Sequence, residues 1–395
     1  MTQYYPPEVG APQNRLSDLA RRLHGRGHAV QVLTALPNYP GTEILAGYRG
    51  RRVRREEIDG VPVIRLWLYV PSQKTFLRRL ANYCSFALHA AWRGPGLLEA
   101  ADFVIAESPP LFLGPAGAYL ARRMKARFVF NVSDLWPDSA VQLGFLREGP
   151  AFRLARRMEA WCYAQADAIS GQSEGIVANI RARVPGKPVA FLPNGVDLAA
   201  WWPRQNRETV RREFGWRPEE FVVGYTGLHG HAQALEQALA AADRLPDVRF
   251  VFFGEGPCKA ALVAKASQRV QFHPPQPHKR MPEILGAFDA GLVSLARGPV
   301  FEGVLPSKVF EVMASRRPVV LAGGGEVAKL VEQAQCGVVA PPESPEHLAE
   351  AIRRLADSPG LCAELGENGR RLVVERFDRG HIAESFEEFL GLLPK

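Results

Sequence analysis

Residues 304–322 read VLPSKVFEVMASRRPVVLA: a loop closing on Pro306-Ser307-Lys308, a short helix carrying Glu311, and a β-branched strand after Pro318. That order sets a serine cap, a lysine ammonium and free backbone N–H groups at a helix start, where the dipole and the unpaired donors favour a diphosphate. Glu311 lies one turn beyond Ser307 and three residues beyond Lys308. It therefore shares their helix face and can accept hydrogen bonds from ribose hydroxyls while the lysine holds phosphate. The same residues also read as a capped surface helix with an i,i+3 Lys308 to Glu311 pair, stabilising by about 0.2–0.5 kcal/mol.

Outward from this segment, short β-branched or aromatic runs alternate with helical stretches, the pattern of βαβ units and parallel sheets covered on both faces. Strands are predicted at 221–225, 250–253, 270–272, 290–294, 319–322 and 337–339. The first half repeats the pattern, with strands at 30–34, 103–106, 128–132, 168–170 and 189–192 and helices centred near Leu19, Leu120, Ala155 and Ile180. A hairpin over 51–67 interrupts it, turning at Asp59-Gly60. The fold class is α/β, and 395 residues exceed what one core usually holds. Pro193-Asn194-Gly195 breaks the preceding strand, and a polar stretch follows Trp202. The expected domains are 1–195 and 196–375, with 376–395 an amphipathic helix able to cross back to the first domain. A parallel α/β domain needs a central first strand, of which MTQYY supplies only the end.

Composition narrows the function. Hydrophobic content of 47% and charged content of 23% are ordinary for a soluble enzyme, and no apolar run approaches the ~20 residues of a membrane span. MTQYYPPEVGAPQNRL has no basic head followed by an apolar core, which reads as a cytoplasmic chain. The five cysteines are dispersed and include no C-x-x-C pair, against a disulfide framework or a zinc cluster. A net charge of +8 implies an anionic partner: nucleic acid, a membrane surface or a phosphorylated substrate.

Further motifs surround these. Pro6-Pro7-Glu8-Val9-Gly10-Ala11 leads into a helix, where a strand-to-helix turn brings backbone N–H groups near phosphate, although it also reads as a plain Pro/Gly loop. Gly227-Leu228-His229-Gly230 ends a strand and precedes a helix beginning near Gln233, so both glycines could let backbone approach a pyrophosphate. The spacing is not G-x-G-x-x-G. His229 and His231 form H-x-H, without the further ligands a zinc shell requires. Asp134, beyond the end of a strand, is placed to orient or deprotonate an acceptor hydroxyl, or to cap the turn at Trp136-Pro137. Lys74, Arg78, Arg79, Trp92 and Arg93 flank the apolar stretch 83–91, and Arg147, Arg153, Arg156, Arg157 and Trp161 form a second basic-aromatic group. Both suit anionic headgroups, each cation adding about 1 kcal/mol, and both also suit solvated helix faces. No D-x-D occurs, so the diphosphate charge falls to Lys308, Arg297 and helix N-termini rather than a metal clamp.

Taken together, YYPPEVGAPQNRLSDLARRLHGRGHAVQVLTALPNYP, DLWPDS, LPNGVD, GEGP and LPSKVFEVMASRRPVV resemble glycosyltransferase family 4, most of all its branch making bacterial colanic acid, O-antigen and capsule sugars. The resemblance runs over nearly the whole chain. It implies a GT-B fold, two Rossmann-like domains facing across a cleft, the first binding acceptor and the second the donor. It implies a retaining, metal-independent transfer of a sugar from a nucleotide-diphospho-sugar to a polyprenyl-diphosphate-linked glycan, with no cofactor and no nucleic acid. The expected location is the inner membrane face, with Arg78, Arg79, Arg153, Arg156 and Arg157 toward an anionic surface. By the same resemblance Glu311 matches the ribose-binding glutamate, Lys308 and Ser307 the P-S-K segment near the diphosphate, and Gly10, Gly227 and Gly230 the loops facing it. The family's first glutamate falls on Gly303, with Glu302 one residue off, and Asp134 stands about where many members carry a histidine beside the acceptor. The arginine and lysine that often follow the second glycine loop are absent, and the doubled glycine of the first loop is reduced to Gly10-Ala11. Two other readings remain open at this point: a nucleotide-sugar epimerase-like enzyme, and a non-catalytic membrane-associated scaffold.

Overall fold

The computed structural model describes residues 1–8, 10–39, 41–73, 75–142, 144, 146–201 and 206–393, and of Ala11 and Phe76 the backbone. Val9, Lys74 and Trp202 from the sequence readings lie outside the described residues. The chain forms two units, Met1–Asn194 with Ile382–Lys395, and Gly195–His381.

Unit 1 carries the strands β1 (Val32–Ala35), β2 (Val53–Ile58), β3 (Val61–Leu66), β4 (Phe103–Ser108), β5 (Arg127–Val132), β6 (Ala168–Gly171) and β7 (Val189–Phe191). They pair as β1-β3-β2 and β4-β5-β6-β7, parallel throughout except for the β2–β3 hairpin. Thr2 N–H donates to Leu33 and Glu107 N–H donates to Met1 O, so the first two residues lie between β1 and β4. The helices are α1 (Ala11–Gly25), α2 (Phe76–Arg93), α3 (Leu113–Met124), α4 (Asp138–Gln142), α5 (Pro150–Gln165) and α6 (Glu174–Arg183).

Strand alternation decides which helices share a side. On β5, Phe128 and Phe130 enter a core with Phe86 of α2, Leu120 of α3 and Cys162 of α5. Val129 points oppositely, to Leu19 and Leu23 of α1 and Phe386 of the C-terminal helix Arg379–Gly391. Gly114 and Gly117 let α3 seat closely. A Cβ at Gly114 would stand 2.5 Å from Cys162 Sγ, and one at Gly117 2.7 Å from the Ala106 methyl. The C-terminal helix is held to α1's end by Arg26 and His28, both paired with Glu387.

Unit 2 is one parallel sheet of β8 (Phe221–Thr226), β9 (Val248–Phe253), β10 (Val270–His273), β11 (Ala290–Ser294), β12 (Val319–Ala322) and β13 (Gly337–Ala340). The order is β10-β9-β8-β11-β12-β13, the doubly wound order in which sequence direction reverses between the first and fourth strands. Its helices include α7 (Arg207–Glu213), α8 (Glu236–Ala242), α9 (Lys259–Lys265), α10 (Met281–Ala287) and α11 (Ser307–Ala314). The helix expected near Gln233 begins at Glu236, after a single 3₁₀ turn over His231–Gln233. Fully buried Tyr225, Phe250 and Phe252 line one face of the sheet with Leu239 and Leu262. Close packing sets the position of α11: a Cβ at Gly291 on β11 would come 2.3 Å from the Val312 side chain.

Candidate functional site

At the C-terminal edge of the unit-2 sheet, the reversal between β8 and β11 splays two connections apart, which is where open α/β sheets bind ligands. One connection is the loop 227–230 after β8; the other leads from β11 into α11 and Lys308. The structure brings them together. Lys308 Nζ donates to Tyr225 Oη at 2.7 Å and stands 3.9 Å over that ring, a cation–π geometry. Tyr225 Oη in turn donates to Leu228 O at 2.7 Å. Sequence reading placed Tyr225 only within a strand; its position one turn of loop before Gly227 was the available signal.

The glycines of the loop are not equivalent. Gly227 has φ +127, a region side chains avoid, and a Cβ there would lie 3.3 Å from Lys308 Nζ. Gly230 has φ −120, extended backbone open to any residue. Gly254, after β9, packs so closely that a Cβ would fall 1.8 Å from Gly227 O. His229 N–H donates to Glu255 O, and Cys258 N–H donates to His229 O, which clamps the loop against the next connection. The His229 ring is fully buried beside Tyr225, Phe252 and Phe272, and neither ring nitrogen has a partner among the described residues. Burial, then the Lys259 charge, pull its pKa down to about 4 against the opposing Glu255, with Lys308 adding to the fall. His231 instead meets Cys258 Sγ at 3.4 Å, so the two histidines of H-x-H do not converge, and the described residues contain no group of three metal-ligating side chains.

Lys308 and Glu311 are both half-buried and both shifted toward neutrality. Burial lowers the Lys308 pKa to about 7 against the pull of Glu311. Burial raises that of Glu311 to about 7, opposed by the charges of Arg379 and Lys308. The Glu311 carboxylate accepts no hydrogen bond among the described residues, and its remaining lone pairs suit hydroxyl donors. Ser307 corrects the sequence reading. It is the first helical residue rather than the cap; Pro306, with ψ 133, holds the cap position, and no side chain caps the helix. Proline fixes φ near the value that position needs, and its carbonyl accepts from Val309 N–H. The first turn is therefore left without a side-chain acceptor, as an anion site requires. Arg297 is exposed and its guanidinium donates to Pro342 O at 3.0 Å, so it is held along the same sheet edge toward β13 and makes no contact with Lys308 among the described residues. A Cβ at Gly303 would meet nothing within 4 Å.

The corresponding edge of the unit-1 sheet is chemically different. Buried Arg15 reaches Glu107 at 2.7 Å, Ser133 at 2.6 Å and Gln172 at 3.2 Å. Asn131 and Ser133 also donate to Glu107, and Ser170 donates to Asn131. Burial pushes the Glu107 carboxyl up while Arg15 and these donors hold it down. Glu107 escaped sequence analysis because nothing in its local sequence marks it. Asp134 follows β5, half-buried, and accepts from Ser139 Oγ at 2.7 Å; burial raises its pKa against the hydrogen bonds of Ser139 and Leu135 N–H. Gly10 precedes α1 in extended backbone, φ 175, and a Cβ there would press only on the movable end of Gln13. Of the basic residues, Arg78 donates to Gln73, Arg156 pairs with Asp138 at 2.6 Å, and Arg79, Arg153 and Arg157 are exposed.

Comparison with known proteins bears on the family and the fold. The family described as glycosyl transferase 4-like domain matches residues 10–195, and that described as glycosyl transferases group 1 matches residues 206–372. WcaI of Escherichia coli strain K12, named for a glycosyl transferase of colanic acid biosynthesis, is 30% identical over 89% of each chain. Among solved structures, sucrose-phosphate synthase from Thermosynechococcus elongatus superposes with a TM-score of 0.75 at 19% identity, over 99% of this chain and 95% of that one. Anabaena Alr3699/HepE in complex with UDP-glucose gives 0.74 at 17% identity, over 99% and 98%. These likenesses establish the same two-domain fold.

Proposed function

Because the chain belongs to the glycosyltransferases, with a glycosyl transferase 4-like first half, a group 1 second half and the GT-B fold, we propose that it is a retaining enzyme of surface-polysaccharide biosynthesis. It moves a sugar from a nucleotide-diphospho-sugar held by unit 2 to a polyprenyl-diphosphate-linked glycan held by unit 1, at the inner face of the membrane. The observation that carries this reading is Lys308, held by Tyr225 beside Gly227 at the point where strand order reverses. The name of the E. coli relative supports a polysaccharide product, and the UDP-glucose bound to the Anabaena protein supports the donor class.

In the proposed reaction the bond from the sugar's anomeric carbon to the β-phosphate oxygen breaks. The bond to the acceptor oxygen forms on the same face, and the acceptor proton passes to the departing diphosphate. Lys308 and the first-turn N–H groups of α11 stabilise the negative charge developing there, and Glu311 fixes the ribose. Asp134 orients the acceptor hydroxyl. With no D-x-D in the sequence, the lysine takes the part of the metal clamp.

A thermal-shift screen of nucleotide diphosphates and their sugars identifies the donor, since a ligand at 100 times its Kd stabilises by about 2.7 kcal/mol. Incubation of that donor with a polyprenyl-diphosphate-linked glycan, followed by NMR of the new anomeric centre, should show the donor's configuration kept, with rates unchanged by EDTA. Inverted product, or donor converted to an epimer with no acceptor added, would overturn the reading.

A further inference from the structure

Helices α2, α3 and α5 lie side by side, α3 packing against both neighbours, and their inner faces share one core. Their outer faces share an unusual composition. Every arginine on them is exposed: Arg78, Arg79 and Arg93 on α2, two more on α3 and three on α5. The three helices hold a single acidic residue, Glu159, and it is buried against Arg183 and Tyr163. No carboxylate of these helices faces outward; Asp138 of the short α4 pairs with Arg156, and Glu148 is exposed just before α5.

Apolar side chains stand out between those cations. On α2, Leu77, Leu88 and Trp92 are 73%, 71% and 75% exposed, at spacings that return to one stripe of the helix. On α5, Leu154 and Trp161, seven residues apart, do the same, and Tyr119 is exposed on α3. Trp67 and Tyr69, exposed on the segment leaving β3, are tied to α2: Tyr69 N–H donates to Ser85 Oγ at 2.8 Å and Asn82 donates to Tyr69 O at 2.6 Å. Large apolar side chains exposed in stripes on adjoining helices suit an interaction face.

We propose that this three-helix layer docks flat on an anionic lipid surface, with the leucines and tryptophans in the headgroup boundary and the arginines on lipid phosphates. It gives the membrane association of the proposed function its surface and rests on that reading only for the inner-face location. Charge complementarity selects the occupant. A second copy would set arginine against arginine, which like-charge contact disfavours. A nucleic acid would leave Leu77, Leu88 and Leu154 against a phosphate backbone. A lipid interface takes both components, since basic amphipathic helices bind by apolar burial together with attraction to anionic headgroups.

The test is cosedimentation of the full chain with phosphatidylcholine vesicles, with and without phosphatidylglycerol. Binding should require the anionic lipid and weaken with salt. Leu88→Asp with Trp92→Asp should reduce it roughly tenfold or more. Arg153→Gln with Arg157→Gln, at exposed positions where misfolding is not expected, should cost about five-fold per arginine. Equal binding to neutral and anionic vesicles, unchanged binding of the arginine variant, or a wild-type dimer that the α2 variant dissociates would overturn the proposal. The nucleotide thermal shift separates the two inferences: a normal shift without vesicle binding removes this surface and leaves sugar transfer standing, whereas vesicle binding without any shift does the reverse.

Discussion

The two sheet edges put charge to opposite uses. In unit 1, Arg15 and Glu107 are both almost fully buried, and both Glu107 oxygens accept, Oε1 from Arg15 and Ser133 and Oε2 from Asn131, while Arg15 Nε has no partner among the described residues. In unit 2, Lys308 rests on a neutral tyrosine, Glu311 accepts no hydrogen bond among the described residues, and burial moves both groups to about 7. A buried ion pair with both carboxylate oxygens occupied stiffens a loop, whereas a cation resting on a neutral tyrosine and a carboxylate without a hydrogen bond among the described residues retain interaction energy for a ligand. Under the proposed function, unit 1's charges act on folding and unit 2's on the donor.

Arg15→Ala should have the largest effect, and on stability. It leaves Glu107 buried without its cation, at a cost of about 3–5 kcal/mol. Chemical denaturation should register this loss whether or not donor is present. Lys308→Ala should do the converse: little change in the denaturation midpoint, because no buried anion is orphaned, and a fall in kcat of roughly 10²–10³-fold, the scale seen when one charge-stabilising donor is removed. If Lys308→Ala destabilised the protein and left turnover intact, the two edges would not differ in the way described.

The pH dependence sharpens the same contrast. Lys308 is cationic below about 7 and Glu311 anionic above about 7. Above that pH the diphosphate loses its cation, and below it the ribose loses its acceptor, so kcat/KM for the donor should be bell-shaped and centred near neutrality. Tyr225→Phe keeps the ring under the lysine but removes the hydroxyl that accepts from its ammonium. The charged form of Lys308 is then less favoured, its pKa falls, and the alkaline limb should move to lower pH. At pH 7 the loss should be about 2–10-fold, one hydrogen bond of about 0.5–1.5 kcal/mol. A lower rate with an unmoved limb would make Tyr225 merely structural.

What the sequence disclosed follows from which interactions are local. Strand 128–132 was legible because Phe128 and Phe130 alternate with Val129, and the helix carrying Glu311 because i,i+3 spacing is set by the helix itself. Strand order was not legible, and with it the reversal between β8 and β11 that defines the site. Lys308 and Tyr225 are 83 residues apart, and Arg15 and Glu107 are 92, so no spacing rule connects them. Ser307 was misread because a serine before a helical run is a strong cap signal, while the proline ahead of it already had the required φ. The H-x-H pair was set aside for want of further ligands, but its divergence was not legible: the backbone sends His229 into an aromatic pocket and His231 to Cys258, which residue identity alone does not reveal.

Gly303 offers the smallest effect and the finest test of how unit 2 reserves its interactions for donor. The position where the resemblance expects a glutamate has open space around a would-be Cβ and no positive φ, so neither sterics nor backbone conformation demands glycine. Gly303→Glu should therefore change stability by no more than about 0.5 kcal/mol, as for most surface substitutions. If the site lacks only a hydroxyl acceptor for the donor sugar, the new carboxylate should raise kcat/KM about 2–10-fold, the worth of one hydrogen bond. The gain should vanish with the nucleoside diphosphate alone, whose affinity in the thermal-shift screen should stay at the wild-type value. A variant that instead weakened binding of the free diphosphate would show the added charge competing with it for Lys308, and would place the sugar elsewhere than beside residue 303.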